Sequence, residues 1–177
     1  EIRDKMRLQL QIPQDAFVIG HVGRFGHMKN HTFLLDVFEQ VNKKLPSSML
    51  LLVGEGGLQD MIKEKAADLG LADKVIFTGN QADVSDYYQA MDFFVFPSVF
   101  EGLPGTVIEA QASGLRCLVS DSVTPEVLIT ELAQAEPLSL GAGTWAANVL
   151  ERKEYVRNQM TQAIKAAGFD VSDQVKM

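Results

Sequence analysis

Two acids and two cations in this chain have the types and spacing to do chemistry together. Glu101 and Glu109 lie eight residues apart across Gly102-Leu103-Pro104-Gly105, and Arg24 and Lys29 share the stretch GRFGHMKN at 23–30. A carboxylate fixed by a tight turn accepts hydrogen bonds from ligand hydroxyls and repels phosphate. Cations and glycine amides at a helix start attract an anion. A ligand carrying both phosphates and hydroxyls, such as a nucleotide-sugar, would use both sets. Each residue also has an ordinary alternative. Arg24 and Lys29 read equally as solvated loop cations, and Thr106-Val-Ile-Glu109 fits a capping box in which the glutamate reaches back to the cap residue's N–H. Ser98-Val-Phe-Glu101 has the same spacing, but Gly102 and Pro104 interrupt any helix starting at Ser98. For Glu109, helix cap and ligand contact stay open.

The elements that would position these residues follow from hydrophobic periodicity. Apolar runs at 17–23, 48–54, 74–79, 93–97 and 116–121 read as strands. Between them, helices are expected at 31–44, with Phe33, Leu34, Val37, Phe38 and Val41 at helical spacing, and at 57–70, 84–91 and 106–114. A further helix is expected at 124–132, with Thr124 as cap and Pro125 in its first position. Residues 137–140 (PLSL) read as a short sixth strand, 143–155 as a helix capped at Thr144, and 158–168 as another helix. Strands apolar on both faces, alternating with helices, predict an α/β fold with a doubly wound parallel sheet, Rossmann-like. In such sheets ligands bind beyond the carboxyl ends of the strands, where strand order reverses. That rule selects the loops at 23–30, 54–57, 79–83 and 98–106, which carry the two cations and Glu101.

Several classes are disfavoured. A net charge of −7 argues against binding the phosphate backbone of a nucleic acid. Cys117 is the single cysteine, so no internal disulfide is available, and its setting in RCLVS reads as a buried strand position. His21, His27 and His31 show no metal-ligand spacing, so no metal is expected. No apolar run approaches the roughly 20 residues of a membrane span. The glycines at Gly20, Gly23 and Gly26 do not form GxGxxG, and Gln59 takes the last glycine's place in GEGGLQ, which disfavours a dinucleotide cofactor.

The chain resembles the C-terminal, donor-binding half of family 4 glycosyltransferases with the two-domain GT-B fold, closest to those that build bacterial capsules and exopolysaccharides. The resemblance runs through GHVGRF, the Lys29-Asn30 pair, LLLVGEG, KVIFTGNQADV, AMDFFVFPS, EGLPGTVIEAQASG and LVSD. It implies a retaining enzyme that transfers sugar from a nucleoside-diphosphate sugar, a UDP-sugar by preference, to a polysaccharide or glycolipid acceptor without a metal ion. Arg24, Lys29 and Glu101 would be its catalytic residues, the cations on the diphosphate and Glu101 on the sugar hydroxyls. Backbone near Gly102 to Gly105 would meet phosphates and sugar, Glu109 the ribose, and Asn80 and Val84 the base, with Gly23, Leu103 and Thr106 completing the donor-binding set. Arg116 stands where the family often has proline, and Gly105 and Thr106 where bulkier residues are common.

On this resemblance, residues 1–15 would be an interdomain linker or short helix, 16–170 the nucleotide-sugar-binding domain and 171–177 a tail. An acceptor-binding half would precede residue 1, and this chain alone would bind donor without transferring sugar. The protein would be cytoplasmic, peripheral at the inner membrane face through that other half, with a membrane-associated acceptor admitted and no nucleic-acid partner. Two alternatives remain on the residues alone. One is a sugar-nucleotide epimerase of the same fold, which would need its own acid and base. The other is a non-catalytic nucleotide-binding module.

Overall fold

The computed structural model describes residues 1–170; the tail expected at 171–177 lies outside the described residues. Helix α1 (Ile2–Gln9) leads into β1 (Val18–Val22), α2 (His31–Lys44), β2 (Met49–Val53), α3 (Gln59–Asp68) and β3 (Val75–Phe77). Then follow α4 (Ser85–Ala90), β4 (Phe93–Phe96), α5 (Gly105–Ala112), β5 (Arg116–Ser120), β6 (Ala133–Glu136), α6 (Gly141–Arg152) and α7 (Thr161–Ala166). The strands form one parallel sheet in the order β3-β2-β1-β4-β5-β6. Winding runs from β1 outward to β3, then restarts at β4 on the other side of β1. The switch point therefore lies between β1 and β4.

Strand side chains alternate between two cores. Met49, Leu51 and Val53 of β2 join one cluster, which contains Met6, Tyr88 and Ile164 from α1, α4 and α7. Leu50 and Leu52 join the other, with Leu34, Phe38, Ile62 and Trp145 from α2, α3 and α6. Both faces of the sheet are thus covered, which is why the strands read as continuous apolar runs rather than as alternating ones. None of the helices among the described residues is long and apolar enough to cross a membrane.

Two expectations fail between 124 and 140. The helix expected over 124–132 is a single 3-10 turn at Pro125–Val127. The buried Gln111 side chain donates to the Val127 carbonyl at 2.7 Å and accepts from the Thr130 N–H at 3.0 Å, so these backbone groups are taken by a side chain instead of a helix ladder. The sixth strand is Ala133–Glu136, not 137–140, where a 3-10 turn stands at Leu138–Leu140. AQAE has little intrinsic strand preference and pairs only as an edge, from Cys117↔Ala133 to Ser120↔Glu136. Thr144 does not cap α6, which begins at Gly141 without any side-chain cap.

At the amino end of the sheet α1 is anchored by an ion pair between buried Arg7 and partly buried Asp92. Arg7 is fully buried; its guanidinium donates to Asp92 at 2.8 Å and to the carbonyls of Gln14, Ala16 and Ala90. Arg3 reaches the other Asp92 oxygen at 2.6 Å, and the Val18 N–H donates to Asp92 at 2.8 Å. Helix α1, the start of β1 and the approach to β4 are tied at one carboxylate.

Candidate functional site

The loops at the carboxyl edge are stitched together by backbone bonds. Gly23 N–H donates to the Val53 carbonyl at 3.0 Å, Phe25 N–H to Glu55 at 3.0 Å and Gly54 N–H to Gly79 at 2.9 Å. Gly54 has φ +137°, and a Cβ there would sit 2.2 Å from the Gly23 carbonyl oxygen. Only glycine permits this approach. The three loops enclose a cleft of about 630 Å³ beyond β1, β2 and β3, lined in part by Gly23, Arg24, Glu55, Asn80 and Val84. Four of the residues picked from sequence, Gly23, Arg24, Asn80 and Val84, thus share one cavity. Arg24 is exposed, and among the described residues it has no ion-pair partner.

Lys29 and Glu101 meet across the switch point. Lys29 follows β1, Glu101 follows β4, and Lys29 Nζ lies 2.8 Å from Glu101 Oε2 with about a fifth of each side chain exposed. The ammonium also sits 5.0 Å from the centre of the Phe96 ring. Two further bonds join the same loops: Val99 N–H to the Met28 carbonyl at 2.9 Å, and Asn30 Nδ2 to the Pro97 carbonyl at 3.1 Å. Sequence reading assigned Lys29 and Glu101 to different parts of a ligand. In this structure they satisfy one another.

Glu109 is not a helix cap. Helix α5 starts at Gly105 with Pro104 as cap residue and no side-chain capping bond. Glu109 instead accepts from the Tyr88 hydroxyl at 2.7 Å. Burial raises its pKa, and the Tyr88 bond partly offsets that. Its other oxygen lies 4.0 Å from where a Gly105 Cβ would be, so the carboxylate borders the start of α5. Gly102, Leu103 and Gly105 are exposed on that loop, and among the described residues no backbone acceptor takes the Gly105 or Thr106 amide. Thr106 Oγ1 is buried, and among the described residues it has no partner. This amide-rich turn can receive an anion or a polar ligand group. Tyr88 was missed by sequence reading, since nothing in VSDYYQAM marks which tyrosine faces Glu109.

Beneath Lys29 lies an aromatic floor. His21 donates Nδ1–H to the Val95 carbonyl at 2.9 Å, which leaves Nε2 as the bare nitrogen, and among the described residues that atom has no partner. His31 packs edge-on at 4.7 Å between ring centres and stacks on Phe25. Burial pushes His21 down to about 4 and His31 down to about 2, from 6.5. The unfolded chain therefore takes up protons near pH 6.5 that the folded chain refuses, and stability is fully present above that pH and is lost as pH falls toward 4. Each histidine contributes about 1.4 kcal/mol per pH unit in that window. Urea melts between pH 7 and 5 should show this slope, with about half of it gone in His31→Phe; a flat profile would contradict the assigned burial. Among the described residues no three His, Cys, Asp or Glu side chains gather as a metal site.

An all-parallel sheet with cations, amides and carboxylates collected at its switch point defines a Rossmann-like α/β protein with a ligand edge. The model of the family described as "Glycosyl transferases group 1" matches residues 2–160, and the chain belongs to that family. It is 36% identical to the putative glycosyltransferase EpsF of Bacillus subtilis (strain 168), covering 97% of this chain and 46% of EpsF. It is 32% identical to the UDP-Gal:alpha-D-GlcNAc-diphosphoundecaprenol alpha-1,3-galactosyltransferase of Escherichia coli, over 63% of this chain and 30% of that protein. Anabaena Alr3699/HepE, solved in complex with UDP and glucose, superposes with a TM-score of 0.78 at 23% identity, over 98% of this chain and 48% of that one. The chain spans half or less of the length of these relatives. The structural likeness supports the GT-B-type fold inferred from sequence.

Proposed function

We propose that this chain binds the nucleoside-diphosphate-sugar donor of a retaining glycosyltransferase, with a UDP-sugar as donor and a polysaccharide or glycolipid as acceptor. The observation that carries this reading is the meeting of Lys29 and Glu101 at the switch point, with the Lys29 stem against Gly23, which lines the Arg24 cleft. Arg24 and Lys29 supply positive charge where a diphosphate leaving group would develop negative charge, an electrostatic role that preorganised cations fill well. The Gly102–Gly105 turn and the first amides of α5 offer donors to the phosphates, Glu101 accepts from sugar hydroxyls and Glu109 from ribose hydroxyls. Asn80 and Val84 border the space for the base. Uridine is supported by the E. coli relative, named for UDP-Gal, and by the Anabaena structure holding UDP. Transfer itself requires an acceptor-binding half that closes over the donor.

The test is a thermal-shift panel on this chain with UDP, UDP-glucose, UDP-galactose, GDP, ADP and NAD. A ligand at about 100 times its Kd adds about 2.7 kcal/mol, and each kcal/mol moves the midpoint by about 2–4 °C at this size. A rise of several degrees is expected with UDP and one of its sugars. No rise with any nucleotide would remove the donor reading.

A further inference from the structure

The Lys29–Glu101 pair raises a question about occupancy. On the donor reading, on which this inference rests, both partners belong to the ligand, yet here each is the other's partner at 2.8 Å. We propose that Glu101 is a specificity-determining residue that acts through Lys29: it masks the ammonium from a bare nucleoside diphosphate and releases it when a sugar is attached.

Three observations support this. First, the pair is not needed to hold its loops together, because the Val99–Met28 and Asn30–Pro97 bonds already join them. The side chains can separate while the backbone stays. Second, Lys29 is constrained from below and from the side. Its ammonium lies over Phe96, and its Cδ and Cε are 3.3 Å from where a Gly23 Cβ would be. This packing holds the stem over Gly23 and leaves the ammonium at the ligand edge, where it can pivot between Glu101 and a phosphate. Third, about a fifth of each partner remains exposed, so both can be reached by a ligand without unfolding the turn.

The consequence depends on what the ligand brings. A free diphosphate must approach an ammonium that already has a carboxylate beside it, and the two anions repel. A sugar placed on the diphosphate adds hydroxyl donors that Glu101 can accept instead. Glu101 then turns to the sugar and Lys29 turns to the phosphate. After the sugar departs, Glu101 recaptures Lys29 and the spent nucleotide is held less firmly. One carboxylate thus favours the charged donor over its own product, a specificity obtained by repulsion of the wrong ligand as much as by attraction of the right one.

The experiment is calorimetric titration of the chain and its Glu101→Gln variant with UDP and with UDP-glucose. Glutamine keeps the shape and removes the charge, so melting temperatures of the two proteins serve as the folding control. In Glu101→Gln, UDP should bind about 3- to 10-fold tighter, UDP-glucose should bind no tighter, and the preference for the sugar nucleotide should shrink accordingly. In a Lys29→Ala background the same change should give a smaller gain in UDP affinity, since only the direct repulsion between Glu101 and the phosphates is left to relieve; an equal gain would show that Glu101 does not act through Lys29. If the parent chain binds both ligands and Glu101→Gln leaves UDP affinity unchanged or weaker, the masking role is overturned while the donor reading stands. If the parent binds neither, the donor reading falls and this inference with it.

Discussion

Lys29→Ala is expected to weaken UDP-glucose binding by about 10- to 100-fold, because hydrogen bonds to a charged partner contribute about 1.5–3 kcal/mol. Two effects add. The ammonium that faces the diphosphate is lost, and Glu101 is left as an unpaired carboxylate beside the position the phosphates would take. The fold should survive, because the Val99–Met28 and Asn30–Pro97 bonds remain. Arg24→Ala should have a smaller effect, since Arg24 is exposed and water screens its charge. Titration with UDP-glucose checks both. Equal binding by parent and Lys29→Ala would mean that the ammonium only ties two loops together.

The second large effect concerns stability at the other end of the sheet. Asp92→Ala should destabilise the fold by about 3–5 kcal/mol, because removing the partly buried carboxylate strands the fully buried Arg7 charge. At about 2–4 °C per kcal/mol, the melting temperature should fall by about 6–20 °C. Arg7 has no exposed side-chain surface, and burial already lowers its pKa, with Asp92 opposing that effect. Without Asp92 the guanidinium keeps only carbonyl partners, and the Val18 N–H loses its acceptor as well. Urea denaturation followed by circular dichroism measures the change. A loss below about 1 kcal/mol would show that Arg7 finds water on its own. Because Asp92 lies at the amino end of the strands, UDP affinity of the folded variant should match that of the parent, which separates this role from the ligand edge.

The core strands were legible because their side chains repeat an apolar pattern that needs no knowledge of neighbours. The glycine loops were legible too, since Gly54 sits where a Cβ would strike the Gly23 carbonyl and no other residue fits. Residues 124–140 misled for a reason outside their own sequence. Thr124-Pro125 is a good local helix start, but the side chain of Gln111 on α5 takes the backbone groups that a helix would have used. The capping box at Thr106-Glu109 failed in the same way: the cap position falls two residues earlier, on Pro104, and Tyr88 from α4 takes the carboxylate.

By itself, then, the sequence determined the alternation of strands and helices, the parallel sheet class and the set of polar loops at one edge, because these follow from hydrophobic period and backbone constraint along short stretches. Only the tertiary structure decided that Lys29 meets Glu101, 72 positions away, that Glu109 meets Tyr88, and that Arg7 is buried against Asp92, 85 positions away. The physical reason is that a charge or hydroxyl carries no local mark of its partner. The partner is chosen by strand order, which places the loops after β1 and β4 side by side and the helix before β1 against the approach to β4.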